Sequence, residues 1–503
     1  MRFKVKNERL STLLNAIMVG TLAGLVVSTF RLLIANILIW FQNLYKLAVT
    51  NIWYLIIIIV LNITLAVMVG FLVKTTPEIA GSGIPQIEGQ LEGLYEEAWW
   101  PVLWKKFIGG VLAIGSGLML GREGPSIQLG AVVGQGVGEF RHFNGSKRRV
   151  MIASGAAAGL SAAFNAPIAS TMFVLEEIYH SFSPLVWIGA LTSAIFSNFV
   201  SLNYFGLTPT LAMSHPHPFP LVLYLHLVIM GIGLGFFGRL YQIVMLKLKS
   251  WYGKIHFLPK WLYGLVSFIL IIPVGLIWPQ YLGGGNGLIP AIANSNPVLI
   301  TMVILLIVRF VFSMVSYGSG LPGGIFLPIL TLGAVFGTVY VGLMVSLHLL
   351  TFEYLPNFVI YAMAGYFGAV GKAPFTAVLL ITEMVGSIHH LMPLAVVVLT
   401  AYIVIDMLGG NPIYESLLRQ LIPEDNSIDH NEKDYVEIPV TEESDLDGKY
   451  VHDITWPSHS LLVNIKRGSG IIIPNGDTKL QIGDRLNIVT TAKYRGMIWR
   501  YFK

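Results

Sequence analysis

Apolar runs follow one another from about residue 13 to residue 408, but hardly any forms the clean block of about 20 residues that a simple bilayer-crossing helix uses. The first, over residues 13–40, follows the basic segment MRFKVKNERL. It is too long for a signal-peptide core and ends at no small-residue cleavage site, so it predicts a retained, tilted helix. Glycine and proline break the later runs at GSGIP (81–85), GREGP (121–125), NAP (165–167), GSGLPGG (318–324) and GKAP (371–374). Irregular backbone at membrane depth is tolerated only where protein buries it or where it lines a cavity. The pattern therefore predicts short, broken helices around a polar centre.

The pattern also repeats. LGAVVGQGVG (129–138) resembles LGAVFGTVYVG (332–342), and APIASTMFVLE (166–176) resembles APFTAVLLITE (373–383), in the same order and at similar offsets. This predicts a duplicated helical bundle with halves at about 1–205 and 206–422. Glu176 and Glu383 occupy matching positions and read as structural helix-end partners. After Ile422 the periodicity changes: residues 423–433 (PEDNSIDHNEK) form an acidic, turn-rich linker. Short alternating runs over 434–503 then predict a small α+β domain, which pairing with a second copy would help to bury.

Composition fixes the class. The chain is 54% hydrophobic and only 12% charged over 503 residues, about half the charge of an average soluble protein. The absence of cysteine excludes disulfides, thiolate metal sites and cysteine nucleophiles. A net charge of +5 suits basic cytoplasmic loops better than a nucleic-acid footprint. Residues 142–150 and 247–260 carry the basic charge, while 202–218 and 279–298 contain no Lys or Arg. That asymmetry predicts a multi-pass protein of the plasma membrane with its N-terminus and C-terminal domain in the cytoplasm. No nucleophile–base pair, cofactor motif or metal cluster can be assembled, so neither an enzyme nor a cofactor is expected. His215, His217, His389 and His390 read as solvated loop residues, and Arg309 as a packing or snorkelling residue.

GSGIPQIEG, GREGPSIQLG and GSGLPGGIFLP each place small residues and a proline just ahead of an apolar run. Proline suits a first helical turn, and helix N-termini carry free N–H groups and partial positive charge that bind anions. Three such starts around one centre predict an anion site. Glu123 lies inside one of them, and an ionisable residue at membrane depth has a functional reading by default.

These stretches resemble the signature segments of the CLC family of chloride channels and chloride/proton exchangers, together with NAP and its downstream EE, GKAP…TE, and Tyr414 in NPIYESLL. The resemblance implies an all-α integral membrane protein built from two inverted repeats of tilted, broken helices, paired as a homodimer. It implies that Ser82 and Tyr414 donate hydroxyls to a central anion and that the amides of Ile325 and Phe326 complete the site. Glu123 matches the gating glutamate, and Glu177 matches the internal proton-transfer glutamate of the family's exchangers. The implied function is secondary active exchange of chloride for protons, with a passive voltage- or pH-gated chloride channel as the alternative. Ser82 favours chloride over nitrate. Gln86 and Lys372 depart from the usual acid and arginine. The segment LLVNIKRGSGIIIPNGDTKLQIGDRLNIV is similar to a TrkA-C (RCK C-terminal) domain, whose association with potassium transport makes a cation transporter the remaining, weakly supported reading. Some TrkA-C domains bind cyclic di-AMP. By that analogy Asn464, Arg467, Ile472, Ile473 and Pro474 would line a nucleotide site, against the alternative of a dimerisation module without a ligand.

Overall fold

A computed structural model of the chain describes residues 2–180, 183–207, 209–211, 219–295, 297–422, 433–440, 444, 446–468, 470–491, 494, 497–498 and 501–502. The acidic linker, apart from Lys433, and His215 and His217 lie outside the described residues. The first half comprises α1 (Arg2–Ala48), α2 (Ile52–Thr75), α3 (Ile84–Glu92), α4 (Trp99–Gly115), α5 (Glu123–Phe140), α6 (Gly145–Phe164), α7 (Pro167–Phe173) and α8 (Pro184–Phe205). The second comprises α9 (Tyr224–Gly253), α10 (Gly264–Ile277), α11 (Leu288–Ala293), α12 (Leu299–Gly318), α13 (Phe326–Ser346), α14 (Leu355–Gly371), α15 (Pro374–Val385), α16 (Leu391–Met407) and α17 (Ile413–Leu421). Among the described residues, eight helices are long and apolar enough to cross a membrane. The others are shorter or, like α5, almost wholly buried, as the interrupted pattern predicts.

The duplication is visible in detail. The two LGAV segments lie on α5 and α13, and the two Ala-Pro pairs start α7 and α15. α6 and α14 both end on a left-handed non-glycine residue, Asn165 (φ 55°) and Lys372 (φ 58°). Lys372 also pairs with Asp406, so its departure from arginine keeps the cation and its partner. Glu176 accepts hydrogen bonds from the Phe375 and Thr376 amides at the start of α15 (3.2 and 2.8 Å). Glu383 returns the arrangement, accepting from Ile168 and Ala169 at the start of α7 (3.2 and 2.7 Å). Each half thus caps a helix of the other, with negative charge at a positive helix end. Glu383→Ala leaves the exposed Ile168 and part-buried Ala169 donors without their acceptor and is expected to cost about 1 kcal/mol, read as an earlier thermal unfolding transition in detergent.

The C-terminal domain is a four-stranded antiparallel sheet in the order β1-β4-β2-β3, with β1 (Lys433–Pro439), β2 (Leu461–Arg467), β3 (Gly470–Ile472) and β4 (Arg485–Thr491). One face buries Val436, Ile438, Ile465, Leu480, Leu486 and Ile488. Asp484 sits beneath that core and accepts from Arg467 Nε and Nη2, both at 2.7 Å. Burial alone would raise the Asp484 carboxyl. The Arg467 hydrogen bond, the Gln481 N–H and the Arg467 charge outweigh it and hold the group below its usual range. A depressed carboxyl contributes stability above its unfolded value of about 3.9 that is lost as pH falls through the folded value. Asp484→Asn is therefore expected to flatten the domain's acid-unfolding profile below about pH 4 while lowering its stability at neutral pH.

Candidate functional site: an anion pathway crossed by a carboxylate

The interrupted stretches meet at the centre of the membrane domain and are stitched by their backbones. Gly81 N donates to Leu321 O (3.2 Å) and Gly323 N to Gly81 O (3.0 Å), while Gly121 and Gly324 exchange two bonds of 2.7 Å. α3, α5 and α13 start from this knot. Gly83, the N-cap of α3, has φ 91°, a left-handed conformation that glycine adopts without strain. At Gly124 a Cβ would lie 2.3 Å from Ser82 Oγ, so only glycine admits α5 this close to the Ser82 hydroxyl. Lys106, fully buried on α4, donates to the Ile79 and Gly81 carbonyls, both at 2.8 Å, and fastens the loop from behind. Gln86 Nε2 donates to Ala80 O at 2.8 Å, an uncharged tether of the same loop.

Around the knot are polar groups that the protein does not satisfy. Ser82 Oγ and Tyr414 OH are both buried and both lack a hydrogen-bonding partner in the chain. Buried hydroxyls in that state are costly, and two close to a helix-head cluster suit an anion. Ile325 caps α13 and Phe326 opens it, so their amides have no intrahelical acceptor. Aromatic rings close the site: Phe326 packs on Phe367 (centroids 4.3 Å apart), Phe164 (5.3 Å) and Phe173 (5.6 Å), and Phe173 meets the Tyr414 ring edge-on (6.2 Å).

Two cavities approach this point. One, of about 460 Å³, is lined by Ser82, Tyr317 and Gly318, with Lys249 and Lys260 among its outer residues. The other, of about 340 Å³, is lined by Arg31, Arg122, Arg309, Asn286 and Leu327. Glu123 is wholly buried: its neighbour Gly124 abuts Ser82, which lines the first cavity, and its neighbour Arg122 lines the second. Its carboxylate lies 3.8 Å from Arg122 Nε and faces the backbone N–H of Leu327, but makes no well-formed hydrogen bond. It is therefore held mainly by charge, in a place where helix-head amides favour any anion.

Glu177 lies in a π-helical turn over Val174–Ile178 where Tyr179 N reaches back to Val174 O (2.7 Å). It is 3% exposed, which removes the reading of a solvated helix-end charge. π turns occur mostly at functional positions. Glu177 and Glu123 are both electrostatic neighbours of the Tyr414 phenol. Glu176 is spent on the α15 cap, so the two adjacent acids have different roles.

Two readings from the sequence need correction. Arg309 does not snorkel: it is buried, donates to Gly283 O at 2.6 Å and lines the second cavity. His390 is not solvated: it is buried with Nδ1 2.9 Å from the Tyr361 hydroxyl. Arg31, which donates to Ala162 O and stacks on Phe205, and Lys106 were missed, although each is a charge inside an apolar run. In the C-terminal domain, Asn464 pairs with Asn487, Arg467 is engaged by Asp484, and Ile473 is 86% exposed beyond the end of β3.

The voltage gated chloride channel family model matches residues 65–406, a span that holds Ser82, Glu123, Glu177 and Phe326. The chain belongs to the CLC family. A TrkA-C domain model matches residues 435–502 of this CLC chain. The H(+)/Cl(-) exchange transporter ClcA of Vibrio parahaemolyticus is 37% identical over 424 residues, 82% of this chain and 91% of that protein. ClcA of Klebsiella pneumoniae is 36% identical over 428 residues, 82% of this chain and 89% of that protein. Among solved structures, a slow cyanobacterial Cl-/H+ antiporter superposes with a TM-score of 0.78 at 29% identity, covering 82% of this chain and 99% of that one. A CLC-type fluoride/proton antiporter shares the fold, with a TM-score of 0.65 at 21% identity over 78% of this chain and 95% of that one. This CLC chain is thus a multi-pass membrane protein with a C-terminal TrkA-C domain.

Proposed function

We propose that the protein is a secondary active transporter that exchanges chloride for protons. The observation that carries this is the buried Glu123 carboxylate, whose chain neighbours border two cavities with basic residues in their linings, beside the unsatisfied hydroxyls of Ser82 and Tyr414. Relatives at 35–37% identity named as H(+)/Cl(-) exchange transporters support it over a passive channel. Chloride enters between Ser82, Tyr414 and the amides of Ile325 and Phe326. Glu123 competes for the same helix-head field; when protonated it loses its charge and yields its place. Glu177, buried behind Tyr414, hands protons between Glu123 and the opposite aqueous side. The arginines of one cavity and the lysines of the other raise the local anion concentration at both mouths.

The remaining assignments follow from the same reading. The protein works as a homodimer in the plasma membrane, with its N-terminus and TrkA-C domain cytoplasmic. Exposed apolar residues on α7, α8, α15 and α16, such as Ile168, Phe199, Phe375 and Ile403, supply a surface for a second copy. Cyclic di-AMP binds along the β2–β3 edge near Asn464, Arg467, Ile472, Ile473 and Pro474, and calorimetry of the full chain with this nucleotide tests it. The protein transports and does not catalyse a covalent reaction.

The deciding experiment imposes a chloride gradient on liposomes containing the purified chain. Protons should move against their own gradient; chloride flux without proton flux makes the protein a channel. Tyr414→Phe removes one donor to the central ion, expected to cost about 1.5 kcal/mol, or about tenfold in the Kd for chloride by calorimetry.

A further inference from the structure

A second cluster of chemistry-bearing side chains lies outside the pathway. Glu88 and Glu92, one helical turn apart on α3, face His180, which follows the π turn that holds Glu177. One donor atom from each of the three lies within 4.8 Å of the others. His180 Nε2 is 3.4 Å from Glu88 Oε1, while Glu88 Oε2 is buried with no hydrogen-bonding partner. Glu88 is entirely inaccessible, whereas the His180 side chain is 18% exposed and gives a route in from water.

A bound cation relieves the repulsion between the two carboxylates. Like charges four residues apart on a helix repel, and Glu92 is the last residue of α3, at its negative end. Glu415, next to Tyr414 on α17, lies near Glu88 but is itself paired with Arg419 at 2.7 Å. One imidazole nitrogen and two carboxylates form a donor set suited to a borderline divalent transition metal with an open coordination position. Mg²⁺ and Ca²⁺ prefer all-oxygen shells of six or more ligands.

We propose that Glu88, Glu92 and His180 bind a Zn²⁺-class divalent ion, and that the bound ion slows exchange by tying α3 to the turn that carries Glu177. α3 starts at the loop of Ser82, and His180 lies three residues after Glu177. One ion therefore links an anion-binding element to a proton-carrying one. The inhibitory part rests on the exchange reading; the binding part does not.

The test uses the full chain without a histidine tag, freed of metal by chelator and dialysed against Zn²⁺. The parent should retain one Zn²⁺ more per chain than His180→Ala or Glu92→Gln. The loss of affinity should be at least about 10–100-fold, the scale produced by removing even an outer partner of a metal ligand. Without metal, all three proteins should unfold at the same temperature, and only the parent should gain on adding Zn²⁺. Equal Zn²⁺ retention or equal thermal gain in parent and variants overturns the site, as does preferential retention of Mg²⁺ or Ca²⁺. Should His180→Ala fail to fold, Glu92→Gln at its half-buried position decides alone. In liposomes, Zn²⁺ on both sides should slow coupled flux in the parent and not in the variants. If Zn²⁺ binds but flux is unchanged, the inhibitory coupling is wrong; if the parent moves no protons even without metal, the exchange reading is what fails.

Discussion

Glu123→Gln yields a protein that still carries chloride down its gradient but moves no protons against theirs. Glutamine keeps the shape of the side chain and removes both the charge and the exchangeable proton. The wild-type carboxylate is wholly buried and has no well-formed hydrogen bond to anchor it. A carboxylate can be either an anion or a proton carrier. Replacing an essential proton-transfer group typically costs about 100-fold or more, so coupled proton flux should fall to the leak level. Chloride flux should persist and lose its pH dependence, since nothing at the crossing point then titrates. Parallel chloride and pH electrodes on the same liposomes check both. Uphill proton movement by Glu123→Gln would remove this carboxylate from the mechanism.

The second large effect separates the two routes. Glu177→Gln should reduce proton movement by about 10–100-fold while chloride flux changes by less than about twofold. On the proposed reading the anion site is framed by Ser82, Tyr414 and the head of α13, whereas Glu177 neighbours the Tyr414 phenol from its own π turn. Chloride has no need to pass it; a proton bound for Glu123 does. A variant that lost chloride and proton flux together would show that the two ions share the whole path.

What could be read from the residues depended on how local the cause was. Glu123 was legible because a charge after an apolar run, between glycines and a proline, conflicts with its surroundings. The three helix starts were legible because proline and glycine act within one turn. Of the Arg309 readings, packing fits and snorkelling does not, because its acceptor, the Gly283 carbonyl, lies 26 residues away in the chain. His390 was misread for a similar reason: a histidine pair in a loop-like stretch looks wet until Tyr361 is placed beside it. The π turn that buries Glu177 has no distinctive sequence signature, so the resemblance could name the residue but not its setting. Arg31 and Lys106 were readable in principle, because each is an ionisable side chain within an apolar run. They were overlooked because no glycine-proline break marks them.

The backbone knot of Gly81, Gly121, Gly323 and Gly324 has a consequence for how this protein can be altered. Much of what greets the ion there is peptide, and no substitution deletes a peptide group. Changing a glycine of the knot damages assembly before it alters preference, so a screen for altered anion choice should return few viable changes at those positions. On the proposed reading, adjustable selectivity is confined to the two hydroxyls, Ser82 and Tyr414, and their immediate neighbours. The main chain fixes that an anion binds, and a handful of side chains decides which one.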